Sequence, residues 1–182
     1  MKIKNRLFLL GAAMAVMSSS AFADTAGTQT FTATVTADTC TIANLNQAVD
    51  LGNVLKAEYA GLSNWNAPAN VALVSVNFDV TGCGNNITTV NVTPTFNAES
   101  GSAAYVRFVK NAGTAAGIAF DTAKLSNADF NQNRIWQNGV TKAFTLTNGA
   151  VQVPVTGILS KNGQAVTAGT LDFQMTFAFD FV

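Results

Sequence analysis

The sequence predicts an all-β sandwich held by one disulfide, and three observations support this prediction. Segments with an apolar residue at every second position recur along the chain, as in strands that bury one face. Turn signals such as Asn138-Gly139, Asn148-Gly149 and Asn162-Gly163 separate them. The two cysteines, Cys40 and Cys83, indicate one disulfide if the chain is exported. Because no long stretch shows a helical period, short antiparallel strands in a sandwich are favoured.

The first 23 residues have the features of a secretory signal peptide. Lys2, Lys4 and Arg6 precede an apolar run over 7–17, and Ala21-Phe22-Ala23 has the small-residue pattern of a cleavage site. The apolar run is shorter than the ~20 residues that a transmembrane helix needs, although a retained N-terminal anchor stays open as an alternative. Cleavage after Ala23 would leave residues 24–182, a length typical of one domain.

Composition and charge argue against several classes of function. The chain has 10 Lys and Arg against 10 Asp and Glu, so loss of the three N-terminal cations leaves 7 against 10 and a net charge of −3. No basic patch for nucleic acid remains. The sequence lacks histidine, so neither a Ser-His-Asp triad nor the usual zinc ligands can form. With carboxylates scattered singly, we expect no enzymatic activity, no metal and no cofactor.

In chain order, the alternating segments predict about seven strands. They cover residues 30–37, 71–83, 88–96, 103–110, 142–147, 151–159 and 170–182. Pro154 lacks a backbone N–H, so we expect an edge or bulge at that point of its strand. A short helical turn is expected within 53–62 or 128–137.

The C-terminal segment raises the question of what covers it. Six apolar residues occupy every second position without a break: Leu171, Phe173, Met175, Phe177, Phe179 and Phe181. At about 2 kcal/mol for each large side chain, burying this face is worth on the order of 10 kcal/mol. Since exposure would be so costly, we expect this face to be covered, and on the pattern alone the segment could be an ordinary core strand of a complete sandwich.

Four features make the chain resemble structural pilins of the chaperone–usher pathway, of the type 1 fimbrial kind. A threonine-rich alternating segment runs into Cys40, and "AVDLGNV" at 48–54 resembles a strand motif of that family. Cys83 follows the alternating strand in "VNFDVTGCG". Gly169 is the fourteenth residue from the end and precedes the alternating strand with its penultimate aromatic, Phe181. Two positions depart from the family pattern, because Phe181 replaces a tyrosine and Ala33 replaces a donor-segment glycine.

The resemblance implies an incomplete immunoglobulin-like β-sandwich that lacks its final strand and is completed by a donor strand from a neighbouring subunit. It divides the chain into a signal peptide (1–23), a donor-strand extension (24–38) and a pilin domain (39–182). The implied donor side chains are Phe31, Ala33, Val35 and Ala37. The implied acceptor groove and C-terminal strand comprise Gly169, Leu171, Phe173, Met175, Phe177, Phe179 and Phe181.

The implied function is that of a structural subunit of a surface fimbria, which polymerises by donor-strand exchange and supports adhesion. Its implied partners are neighbouring pilin subunits, a periplasmic pilus chaperone and an outer-membrane usher, and its implied route leads through the periplasm to the cell surface. Three alternatives stay open. The chain could be a minor fimbrial adaptor, or a self-contained carbohydrate-binding sandwich with Trp65 or Trp136 stacked on a host glycan. Residues 24–37 could also be a first strand of their own domain.

Overall fold

The computed structural model describes residues 25–35, 40–100, 106–123 and 135–182. They form ten strands and one short helix, in the order β1 (Thr25–Val35), β2 (Thr41–Ala43), β3 (Asn46–Val54), α1 (Lys56–Ala60), β4 (Val74–Thr81), β5 (Thr89–Phe96), β6 (Phe108–Lys110), β7 (Ile118–Asp121), β8 (Lys142–Thr145), β9 (Val151–Lys161) and β10 (Leu171–Phe181). The predicted all-β fold class is confirmed. The predicted signal peptide lies outside the described residues.

Two five-stranded sheets make up the sandwich. Strands follow the order β3-β1-β10-β5-β8 in the first sheet and β2-β4-β9-β7-β6 in the second. Strand β1 runs parallel to β10, whereas every other strand pair within the described ranges is antiparallel. The first sheet therefore holds the N-terminal and C-terminal strands of the described chain side by side.

The apolar face of β10 forms the middle of the core between the two sheets. Phe177 lies 5.3 Å from the ring of Phe78 on β4, and Phe173 lies 6.2 Å from that of Phe120 on β7, between ring centroids. Trp136 contacts Phe177 edge-on, with 5.2 Å between centroids. The second sheet thus covers the face that the sequence showed to be too apolar to expose.

Pro154 lies in β9, the middle strand of the second sheet, at a point where that strand has one neighbour. Pro154 pairs with Asn77 of β4. Strand β7 begins to pair with β9 only at Ile158. At the same residue, the indole Nε1 of Trp136 donates to the Pro154 carbonyl over 3.1 Å. The local edge predicted from the missing N–H is confirmed within a strand that is otherwise central.

The disulfide joins Cys40 to Cys83, as predicted, with their Cα atoms 4.3 Å apart. Cys40 directly precedes β2 and Cys83 follows β4, and these two strands share only three residue pairs. The covalent link therefore fixes the chain at the point where it enters the second sheet, five residues after Val35, the last residue of β1.

The described residues contain neither a bilayer-spanning helix nor a metal-binding cluster. Helix α1 has five residues, and the described ranges contain no helix long and apolar enough to cross a bilayer. Within the same ranges, no three His, Cys, Asp or Glu side chains lie together as a metal site requires.

Candidate functional site

The candidate functional site is the groove between β3 and β10, which β1 fills in this structure. Strand β1 pairs with β10 from Gly27–Leu171 to Val35–Phe179, and with β3 from Thr25–Val54 to Thr32–Asn46. Without β1, both of these strands would present an unpaired edge, which is a template for pairing with another chain. The position that the resemblance assigns to a neighbour's strand is thus occupied here by the chain's own N-terminal strand.

Phe31 is the main apolar anchor of β1. Its side chain is fully buried, and its ring lies 6.4 Å from that of Phe120 and 6.5 Å from that of Phe177. Two positions further on, Ala33 is half-buried against the core, and the backbone of Val35 is in register with Phe179. Of the four predicted donor side chains, only Ala37 lies wholly outside the described residues. Phe31 accordingly contacts both sheets of the sandwich at once.

A bulge in β3 adapts this strand to β1. The register shifts so that Gly27 pairs with Gly52 and Thr28 pairs with Asp50, which leaves Leu51 as the extra residue. Gly52 has φ of 61°, a conformation that glycine adopts without steric cost. Its N–H donates to the Asp50 carboxylate over 2.8 Å, which closes the bulge. The Leu51-Gly52 dipeptide in the family-like motif therefore shapes one wall of the groove.

Gly27 lets β1 approach β10 closely. A Cβ atom at this position would lie 2.8 Å from Cβ of Leu171 and 3.1 Å from Cδ1 of Leu51. Both distances are shorter than ordinary carbon–carbon contacts. Gly27 thus fixes where the first half of β1 can sit against the groove.

We expect Gly27→Val to weaken the seating of β1, because its branched side chain overpacks this contact. Overpacking of this kind typically costs about 1–3 kcal/mol, so the free energy of unfolding in urea should fall by that amount. Thr28→Val is the matched control, since Thr28 lies on the exposed face of the same strand. Equal stability of the two variants would contradict the close contact at Gly27.

Among residues 27–33, the part of β1 whose side chains the structure describes, Gln29 is the one polar residue that is completely buried. It is 0% exposed, between the positions of Gly27 and Phe31 on the inward face. Its amide nitrogen donates to the Phe173 carbonyl over 2.9 Å and has a longer contact of 3.4 Å with the Thr30 carbonyl. Its Oε1 atom accepts no hydrogen bond from the described residues. Gln29 and Gly27 were not among the predicted donor residues, although the period-two pattern extended backwards from Phe31 leads to both.

The predicted acceptor residues lie along β10 and its approach. Phe181 is half-buried at the end of the strand. Five of these side chains are at most 2% exposed: Leu171, Phe173, Met175, Phe177 and Phe179. Gly169 lies before the strand rather than beside β1. There a Cβ atom would come within 2.5 Å of the Ala115 backbone nitrogen.

A loop at 111–115 ties down the start of β10. The N–H of Thr114 donates to Oγ1 of Thr170 over 3.0 Å, and the N–H of Thr170 donates to Oγ1 of Thr114 over 2.9 Å. The N–H of Ala115 donates to the Thr170 carbonyl over 3.0 Å. The close approach at Gly169 permits this reciprocal pairing and thereby positions the first residues of the groove.

The two tryptophans do not form an exposed stacking platform. Trp136 is 1% exposed, and the Nζ of Lys142 lies 4.8 Å from its ring centroid. Burial lowers the pKa of Lys142 to about 8. Trp65 is half-buried and packs on Phe108, with 4.4 Å between ring centroids. Both rings therefore act in packing, and nothing in their placement favours the glycan-binding alternative.

Comparison with known proteins identifies the fold. No protein-family model matches the chain, and no curated protein sequence matches it. Among solved structures, the chain is similar to the P pilus rod subunit PapA, with a TM-score of 0.54 and 18% sequence identity. The alignment covers 80% of this chain and 100% of that chain. The chain accordingly has an all-β sandwich fold like that of a pilus rod subunit.

Proposed function

We propose that the chain is a structural subunit of a surface fimbria that polymerises by donor-strand exchange. In this proposal, β1 leaves its own groove, and the extension 24–38 that contains it fills the same groove of a neighbouring copy. The observation that carries the proposal is the position of β1, a strand from the N-terminal end of the chain inserted between β10 and β3. Fold similarity to a pilus rod subunit supports the same role.

Three properties of β1 make it suited to exchange. It lies between β3 and β10, so its withdrawal leaves the β10-β5-β8 part of the sheet paired and opens a groove that another strand of the same kind can fill. It runs parallel to β10, a pairing that is slightly less stable per residue than an antiparallel one. Phe31 anchors it through a large side chain that is completely buried. Exchange of an identical element between copies links protomers with no new type of contact, and head-to-tail links build an open filament.

The remaining steps of the proposal follow from the exposed groove. A groove lined by buried phenylalanines needs cover before assembly, so we include a periplasmic chaperone that lends a strand and an outer-membrane usher that passes subunits on. The chain would be exported through the periplasm and function on the cell surface, where it supports adhesion.

A reversible lock on β1 tests the exchange. The hydroxyls of Thr32 on β1 and Thr176 on β10 are 3.1 Å apart on the exposed face, so Thr32→Cys with Thr176→Cys should form a disulfide that holds β1 in its own groove. We expect the oxidised double variant to stay monomeric under conditions in which the wild type forms filaments, as seen by size-exclusion chromatography and electron microscopy. Mild reduction should restore assembly.

Two controls accompany the lock. Each single-cysteine variant, kept reduced, should assemble like the wild type, and the wild type in the same reductant shows whether the Cys40–Cys83 bond tolerates the treatment. Filament formation by the fully oxidised double variant at the wild-type rate would contradict donor-strand exchange. So would a wild-type chain that never assembles after its groove has been opened with mild denaturant.

A further inference from the structure

The inward face of β1 contains one residue that does not fit an apolar groove. The other inward-facing residues present only apolar groups to the groove; these are Gly27, Phe31 and Ala33. Gln29 places a primary amide in the same groove. Gln29 is in register with Phe173 on one side and Val49 on the other, so it lies in the middle of the three-strand arrangement. Its burial is complete.

The amide of Gln29 is satisfied on one side only. Its nitrogen faces the carbonyls of Phe173 and Thr30, and these two acceptors fix the orientation of the amide because a flipped Oε1 would face them without a proton. In that orientation, Oε1 is buried and accepts no hydrogen bond from the described residues. A buried acceptor without a donor loses its hydration and gains nothing in return, whereas an apolar side chain of the same shape has no such loss.

We propose that Gln29 sets how readily β1 leaves its own groove, and thereby how fast the chain enters strand exchange. The unpartnered oxygen weakens the intramolecular seat at its centre, while Phe31 keeps the strand in place. Gln29 is thus a positioning residue that keeps β1 exchangeable. The part of this inference that concerns exchange rests on the proposed function; the part that concerns opening of the monomer does not.

Hydrogen–deuterium exchange of monomeric chain 24–182, measured by mass spectrometry, tests the role of Gln29. Gln29→Met keeps the length of the side chain and removes the unpartnered oxygen, so we expect exchange of the β1 amides to slow about tenfold. Gln29→Glu should accelerate it, because a carboxylate is harder to bury. Thr28→Met, on the exposed face of β1, is the control and should leave the rate unchanged. Gln29→Leu provides a second apolar variant should Gln29→Met fold poorly.

The reference amides decide whether the effect is local. Strands β4 and β9 share no pairing with β1, and we expect their exchange to stay at the wild-type rate in Gln29→Met. Equal slowing in β1, β4 and β9 would show that Gln29 is only one more core residue, and would overturn the proposal. Unchanged or faster exchange of β1 in both apolar variants would overturn it too.

A second readout separates this inference from the proposed function. A fluorescent peptide of residues 25–37, added in excess, should enter the groove of the wild-type monomer, and Gln29→Met should slow that entry by the same factor as amide exchange. The β1 amide exchange rate could change with the residue at position 29 as predicted while the wild type never captures the peptide. That result would support the role of Gln29 in the closed chain and contradict strand exchange.

Discussion

Phe31→Asp is expected to release β1 from the groove and to abolish filament formation. Phe31 is fully buried between Phe120 and Phe177. Truncation of a buried phenylalanine alone typically costs about 3–5 kcal/mol, and an unpaired carboxylate in the same place adds a further penalty. Both the closed monomer and a donor strand inserted into a neighbour would lose their anchor. Electron microscopy of the assembled material and urea unfolding of the monomer measure the two effects.

The control for this variant is Thr28→Asp, which places the same charge on the exposed face of the same strand. It should assemble at the wild-type rate and unfold at nearly the wild-type urea concentration. Normal filaments from Phe31→Asp would show that β1 is not the donor strand, whatever its place in the monomer.

Removal of the disulfide is expected to have the second largest effect. Cys40 and Cys83 are 43 positions apart in sequence, and in the chain-entropy model a loop of that size stabilises the fold by about 4 kcal/mol. The double variant Cys40→Ser/Cys83→Ser leaves no lone thiol that could pair wrongly. Its free energy of unfolding in urea should fall by about 2–5 kcal/mol.

The position of the disulfide adds a local effect to the global one. Strand β2 is held to β4 by three residue pairs only, so the chain that follows β1 should loosen first when the link is absent. We expect loss of the disulfide to accelerate amide exchange more in β1 and β2 than in β9. If the free energy of unfolding of the double variant falls by less than ~1 kcal/mol, the scale of one ordinary hydrogen bond, the sheets alone fix this end of the sandwich.

Most of the fold could be predicted because its strands alternate. The pattern in 170–182 predicted β10 nearly to the residue, and 151–159, 88–96 and 71–83 contain or overlap β9, β5 and β4. The short helical turn within 53–62 is α1. Segment 103–110 yielded only β6, at Phe108–Lys110, with residues 101–105 outside the described ranges.

Strand β7 could not be predicted in this way. Its four residues, Ile118–Asp121, are all buried, so the two faces do not differ in exposure and no alternation of buried and exposed residues marks the strand. Asp121 is even an ionisable residue at 0% exposure, with an ion pair of 3.2 Å to Arg107 from outside the strand. Such a partner is remote in sequence, and local patterns do not reveal it.

The candidate site was predictable in its residues but not in its arrangement. Alternation identified Phe31 and the apolar face of β10, and both are buried. It did not indicate that β1 would lie in the groove of its own chain, parallel to β10, because period-two patterns carry no information about partner or direction. Gln29 was not predicted as a donor residue, because the pattern assigns apolar side chains to an apolar groove and gives no reason to place a polar one there.

The most direct test of the account is thermal unfolding of the domain without its N-terminal strand. A chain of residues 39–182 has the groove but lacks β1, and a synthetic peptide of residues 25–37 supplies that strand as a separate molecule. We predict that the truncated chain alone aggregates or melts without cooperativity, and that the peptide converts it into a soluble one-to-one complex with a cooperative transition. A cooperative melt of the truncated chain, unaffected by the peptide, would show that the sandwich is complete without β1 and would contradict donor-strand exchange.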